Sequence, residues 1–408
     1  MLNKPPARRV RRAALAAVLL SPLITASVGA PASAGPACTP SWTVQQAPGT
    51  DAVATDVDVV AGDDVRFTEQ RPFAGSRMLR WDGTALGESG SQVPMPPRTT
   101  TTFEVSNGSF APGGSSGWAV VKMLGDFAPD GANLMARWDG ARWALAPGPV
   151  SAKPDRGSGH VVDVASLSAD QAWSVGDVQT AGALTARWDG AQWTAVDNPA
   201  ADRPYATLVS VHALSATGVW AVGQQRDPDT GTVGPLVLHH DGTAWKAVTV
   251  PAPDGPDVVL RTVTATGPDD VWIAGLAGKF TDTDSYTPLL MHWDGQAWKS
   301  QPAPPKQVHG GQIERLYVAG PGDLWATVAY WGTGMVRLMH GDGTSWQEVR
   351  PQGTAPDGYE FQFNGVDGTG PNDVWAVGTT TSTVPSQLPG QNLVRNRRLI
   401  AHLSCGGK

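Results

Sequence analysis

Two short motifs recur along this chain at a spacing of about fifty residues, the interval shown by repeat architectures such as propellers and solenoids. The first is a V-W-x-x-G strand signal. Its tryptophans are Trp118, Trp173, Trp220, Trp272, Trp325 and Trp375, and Asp64-Val65-Arg66 precedes them as a degraded copy. The second is an Asp-Gly turn at Asp82, Asp139, Asp189, Asp241, Asp294 and Asp342, followed four residues later by Leu86, Trp143, Trp193, Trp245, Trp298 and Trp346. In the copy from Val271, VWIAG alternates large and small residues as a buried strand does. Asp294-Gly295 then reads as a two-residue hairpin turn that opens a strand at Trp298. One copy has no core of its own, so the repeats must stack.

There are seven strand signals and six hairpins. Ile400 to Cys405 aligns with Leu290 to Gly295, which places Cys405 on the hairpin glycine, and the continuation is found at the other end in Cys38-Thr39-Pro40-Ser41-Trp42-Thr43-Val44. The expected fold is all-β: a seven-bladed β-propeller of four-stranded antiparallel blades, its ring closed by the N-terminal strand completing the last blade. A Cys38–Cys405 disulfide would rejoin that split hairpin. One blade, for example, is expected to run Leu208 to Leu214, Val219 to Gln225, Leu236 to His240 and Trp245 to Val250. The repeated tryptophans read as packing between blades, because identical placement in each copy is what stacking requires.

Residues 1–34 stand apart. Arg8, Arg9, Arg11 and Arg12 precede an apolar stretch from Ala13 to Ala26, and Ala32-Ser33-Ala34 is a small-residue cleavage pattern. Residues 1–34 are therefore read as a signal peptide and 35–408 as a single propeller domain of a secreted protein; the Sec and twin-arginine routes both fit. The apolar run falls short of the roughly 20 residues that cross a bilayer, and no later run reaches that length, so no transmembrane segment is expected. With 48 Gly, 34 Pro, 17 Trp and only 16% charged residues, the chain suits short strands and turns. A net charge of -7 with no basic tract beyond the leader argues against nucleic acid as a partner, and a monomer is expected.

The V-W-A-V-G strand of Val219 to Gly223, taken with the H-x-D-G-x-x-W hairpin of His292 to Trp298, resembles secreted bacterial β-propeller repeat proteins, and the resemblance covers Cys38 to Cys405. It is distantly similar to tectonin-type lectin propellers and to the Asp-box hairpins of sialidases. The turn from Asp294 to Trp298 is one residue shorter than an Asp-box, and the repeat is longer than a tectonin repeat. The resemblance implies the fold and transfers no residue's role.

Most candidate chemical groups belong to the repeat. Two residues before each hairpin Asp position stand Arg80, Arg137, Arg187, His239, His292, His340 and His402, spread around a ring and expected to pair with strand carboxylates or turn carbonyls. His240 occupies the position of Trp293, and His160, His212 and His309 remain, without metal-ligand spacing, so no metal and no cofactor is expected. Gly113 to Gly117 matches the G-x-S-x-G string of serine hydrolases but falls on a turn between two strands, where a nucleophile elbow needs a strand leading into a helix. Asp227 to Gly231 and Asp282 to Asp284 offer oxygens to calcium without the full ligand spacing, and they read as solvated turns.

Function is expected on the rim where the long, non-repeating loops emerge. Three readings compete: a binding module for a glycan or cell-envelope polymer, a scaffold for a protein partner, and a lyase or hydrolase acting at the central channel. The candidate rim residues are Trp331, Tyr330, Tyr286 with Asp284, Tyr205 with Arg203, and Tyr359 with Glu360; Trp331 is a tryptophan outside both repeated positions. The candidate channel groups are Asp56, Glu104, Asp163 and Arg315, at one equivalent position of the innermost strands. Binding ranks first and catalysis last, because the sequence assembles no nucleophile–base pair.

Overall fold

The computed structural model describes residues 39–45, 52–71, 75–90, 92–94, 103–123, 134–150, 159–178, 181–253, 257–351, 360–385 and 392–405. The proposed leader, Cys38 and Tyr359 lie outside the described residues. The chain opens with β1 (Ser41–Val44). Blade 1 follows as β2 (Val53–Ala61), β3 (Asp64–Arg71), β4 (Gly75–Trp81) and β5 (Leu86–Glu88), and blade 2 as β6 (Phe103–Phe110), β7 (Gly117–Met123), β8 (Leu134–Trp138) and β9 (Trp143–Pro147). Blade 3 is β10 (His160–Ser168), β11 (Gln171–Asp177), β12 (Ala183–Trp188) and β13 (Trp193–Ala195). Blade 4 is β14 (Thr207–Ser215), β15 (Gly218–Arg226), β16 (Val233–His240) and β17 (Trp245–Ala247). Blade 5 comprises β18 (Asp257–Gly267), β19 (Asp270–Lys279), β20 (Asp282–Trp293) and β21 (Trp298–Ser300), and blade 6 β22 (Gln312–Gly320), β23 (Asp323–Tyr330), β24 (Met335–Gly341) and β25 (Trp346–Val349). Blade 7 takes β26 (Glu360–Gly370), β27 (Asp373–Pro385) and β28 (Asn392–Ser404), with β1 as the fourth strand of that sheet. All seven sheets are four-stranded and antiparallel, and the first strand of each blade packs on the first strand of the next, β26 on β2 included.

Among the described residues, seven apolar clusters lie one at each blade–blade interface, and a small eighth surrounds Tyr286. At four of these interfaces the second-strand indole of one blade meets the fourth-strand indole of the next edge-on. Trp118 meets Trp193 at 5.1 Å, Trp173 meets Trp245 at 5.3 Å, and Trp220 meets Trp298 at 5.8 Å. In β1, Trp42 takes the fourth-strand place against Trp325 at 5.5 Å. Between blades 7 and 1, Arg398 of β28 bonds Glu69 of β3, whose other oxygen accepts from Arg77 at 2.8 Å.

Each hairpin has a four-residue loop, where the Asp-Gly signal predicts two. Trp293 pairs with Trp298, and Asp294 Oδ1 accepts the N–H groups of Gln296 at 3.0 Å and Ala297 at 2.9 Å, so the carboxylate takes over what a tighter turn would satisfy through backbone. Gly295 at φ 84° supplies the left-handed residue that this loop needs. Ahead of the hairpin, the repeated cation is held on the second strand. His292, His340 and His402 stack on Trp272, Trp325 and Trp375 at 4.1, 4.2 and 3.8 Å, and bond Asp270, Asp323 and Asp373 at 2.6, 2.9 and 2.7 Å. In blade 1, Arg80 bonds Asp64 at 2.8 Å in the same place.

Candidate functional site

Second-to-third-strand loops and blade-to-blade connections emerge on one rim; first-to-second-strand turns and the Asp-Gly hairpins emerge on the other. On the loop-bearing rim, β23 ends in a short 3-10 turn, Trp331–Thr333, closed by Gly334 in the left-handed region. That turn lifts Trp331 to 38% exposure with its ring edge-on to Tyr286 at 4.8 Å. Tyr286 is itself buried against Val233, Val259 and Leu276, and Phe280, 46% exposed, also meets its ring edge-on at 6.1 Å. Asp257 fixes this corner by accepting the N–H groups of Val233 at 2.8 Å and Phe280 at 3.0 Å. Beside it Asp284 Oδ1 and His309 Nδ1, both exposed, stand 3.1 Å apart. The result is two open aromatic faces on a buried tyrosine, edged by a carboxylate and an imidazole.

The other rim candidates fall elsewhere. Tyr330 is not a rim residue: it is 2% exposed, its hydroxyl donates to Pro305 O at 3.2 Å, and burial pushes its pKa up to about 12. The ring turns inward because Gly311 leaves it room, since a Cβ there would come within 2.8 Å of it. Tyr205 is exposed at φ 62° on the connection into blade 4, and Arg203 donates to Gln225 at 2.7 Å beside a cavity of about 540 Å³ also lined by Arg226 and Asp227. Neither touches the Trp331 cluster through a ring contact or hydrogen bond. Glu360 is exposed at the start of β26. Phe280 and His309 were not singled out for the rim from sequence; their signal was position in the long stretches 276–288 and 302–310.

The innermost strands enclose a cavity of about 400 Å³ lined by the candidate groups Asp56, Asp163 and Arg315, and also by Asp58, Asp367 and His212. Glu104 is not among its lining residues. It stands opposite Lys122, and the bulge after Ser106 inserts Asn107 and Gly108, so that Asn107 faces the channel and accepts from Arg315 across it at 3.1 Å. Each lining carboxylate bonds the next blade: Gly108 N–H donates to Asp56 at 2.8 Å, Phe110 to Asp58 at 2.7 Å, Val211 to Asp163 at 2.9 Å and Val59 to Asp367 at 2.7 Å. Burial raises the pKa of all four, to about 6 for Asp163 and about 7 for Asp367, and drives His212 down to about 4. Among the described residues no three His, Cys, Asp or Glu side chains are grouped to hold a metal ion.

No family model and no curated protein matches the sequence. Solved structures do share the fold. A polysaccharide lyase, a PL25 ulvan lyase bound to -[GlcA(1-4)Rha3S]-, aligns over 86% of this chain and 94% of its own at 8% identity, with a TM-score of 0.54. The Cps50 (Swd1) propeller domain of Myceliophteria thermophila aligns over 88% and 99% at 8% identity, with a TM-score of 0.51. The SapL1 lectin, solved with α-methyl fucoside, aligns over 71% and 94% at 15% identity, with a TM-score of 0.42. At these identities the likeness is one of fold.

Proposed function

We propose that this chain is an exported glycan-binding propeller that holds a polysaccharide of the cell envelope or its surroundings on the loop-bearing rim. The observation that carries the reading is the pair of exposed aromatic faces, Phe280 and Trp331, set on buried Tyr286 with the Asp284–His309 pair alongside. Sugar rings are bound by an apolar platform beneath their C–H groups and by polar groups that fix their hydroxyls, and this corner offers both. The polysaccharide lyase that shares the fold was solved with a saccharide bound, so a saccharide ligand sits within what the architecture accommodates. Each channel carboxylate accepts a neighbouring blade's N–H, which supports ranking acid–base catalysis behind binding. Export rests on the leader-like residues 1–34, and no helix among the described residues is long and apolar enough to cross a membrane.

Trp331→Ala tests the reading. The expected outcome is loss of retention on a glycan or cell-wall array, with a melting temperature within a degree or two of wild type because the indole is partly exposed and lies outside the interface cores. Absence of retention by the wild-type protein on every such array would replace it with the protein-scaffold reading.

A further inference from the structure

Blades 5, 6 and 7 each carry an Asp, a His and a Trp in one stack, the Asp two residues before the Trp. Blade 4 keeps two of the three. His239 stacks on Trp220 at 4.3 Å and 23°, but Gly218 occupies the position of the Asp, and the imidazole makes no side-chain hydrogen bond among the described residues. In blade 2, where Ser116 replaces the Asp, the loss is covered: the Arg137 guanidinium lies 4.9 Å over the Trp188 ring and donates to Ala169 O at 3.5 Å. In blade 4 it opens a cavity of about 770 Å³ between blades 4 and 5, walled by Trp220, Trp293 and Trp298 and reached by His239 and Asp269. That size is in the range of small-ligand sites. Neighbouring atoms have not closed over the gap: a Cβ on Gly218 would meet nothing nearer than the Ser215 hydroxyl at 3.4 Å.

We propose that this cavity binds a neutral sugar ring, with a ligand hydroxyl taking the place that Asp270, Asp323 and Asp373 hold in the other blades. Trp293 and the buried Trp220 and Trp298 line the cavity and supply apolar contact for the ring's C–H groups, and His239 with the exposed Asp269 carboxylate supplies hydrogen-bonding partners for its hydroxyls. Burial lowers the pKa of His239, which favours the uncharged imidazole, and the Asp269 charge opposes an anionic ligand such as a uronate. The site opens on the hairpin rim, away from Trp331, and does not depend on the loop-bearing rim for its argument.

Saturation-transfer NMR and calorimetry with the methyl glycosides of glucose, galactose, mannose and N-acetylglucosamine test it. At least one should bind with a dissociation constant of about 1 mM or tighter. Gly218→Asp, which restores the stack and fills the cavity, should weaken that binding by about tenfold or more without lowering the melting temperature, and Trp331→Ala should leave it unchanged. His239→Phe keeps the stacking, removes both ring nitrogens, and decides the matter should Gly218→Asp fail to fold. The proposal is overturned if no glycoside binds, if binding survives His239→Phe, if it is lost in Trp331→Ala instead, or if glucuronate or a carboxylate-bearing peptide outcompetes the neutral sugars.

Discussion

Gly275 sits where a side chain has no space: a Cβ there would lie 2.0 Å from Val259 O, and Gly378 in blade 7 repeats this at 1.8 Å from Gln362 O. The cause is on the neighbouring strand. Every first strand bulges, as between Leu260 and Thr262, and the bulge pushes its backbone onto the second strand. Gly275→Ala should therefore cost roughly 1–3 kcal/mol and several degrees of melting temperature. Gly267→Ala, which meets nothing within 4 Å, should cost far less; calorimetry of the two variants checks the pair. The repeated glycine was legible in the sequence as part of V-W-x-x-G, whereas its reason was not, because a bulge has no composition of its own. Tyr330 shows the same limit. Beside a long loop it read as a rim aromatic, and the feature that buries it, the missing side chain of Gly311, lies nineteen positions away on the connection into β22.

Strands and blade boundaries were far more legible than individual side chains, since apolar alternation and paired tryptophans are what each interface must repeat. β14 to β17 fall on the expected segments, with ends shifted by at most three residues. What periodicity could not register was the hydrogen bonding that varies from blade to blade, such as the Asp present in β19, β23 and β27 and absent from β15. The β1 element carries its own prediction. Ser41 pairs with Ser404, so Cys405 follows directly on a paired residue and Cys38 stands three residues before the other. We expect the two cysteines to be bonded in the exported protein, which mass spectrometry of non-reduced peptides would show as one linked fragment. The chain-entropy contribution of so long a loop is on the order of 5 kcal/mol as an upper value, and reduction should lower the melting temperature accordingly. Two free thiols in the exported, unreduced protein would remove the bond from the account and leave β1 held by its ladder and by Trp42.

At the scale of the ring, the channel carboxylates make stability depend on pH. Asp367 and Asp163 titrate near about 7 and about 6 against an ordinary value of 3.8, chiefly through burial; Arg315 pulls Asp163 down, while Asp56 pushes both up and Asp373 adds to the rise at Asp367. A raised folded pKa contributes stability that is full below the unfolded value and is lost as pH rises through the folded one. The melting temperature should thus increase as pH falls from about 8 to about 5. The rise reverses only below the ordinary value of 3.8, where Asp270 and Asp373, whose pKa values are lowered despite burial by their Thr, His and Trp donors, begin to lose their contribution. Asp367→Asn keeps an acceptor for Val59 N–H and removes the charge, so a thermal-melt series should show a flatter rise between about pH 8 and 5. An unchanged slope would mean that Asp367 is not the titrating group.

The pairing of β1 with β28 also imposes an order in time. Thr43 reaches a partner 359 positions further along the chain, so the strand made first must wait for the strand made last, while six sheets can assemble from neighbours as they appear. Until then Trp325 lacks its cover and β1 has no strand to pair with. A nascent chain therefore carries β1 as an unpaired strand through nearly all of its synthesis, until β28 arrives to cover it.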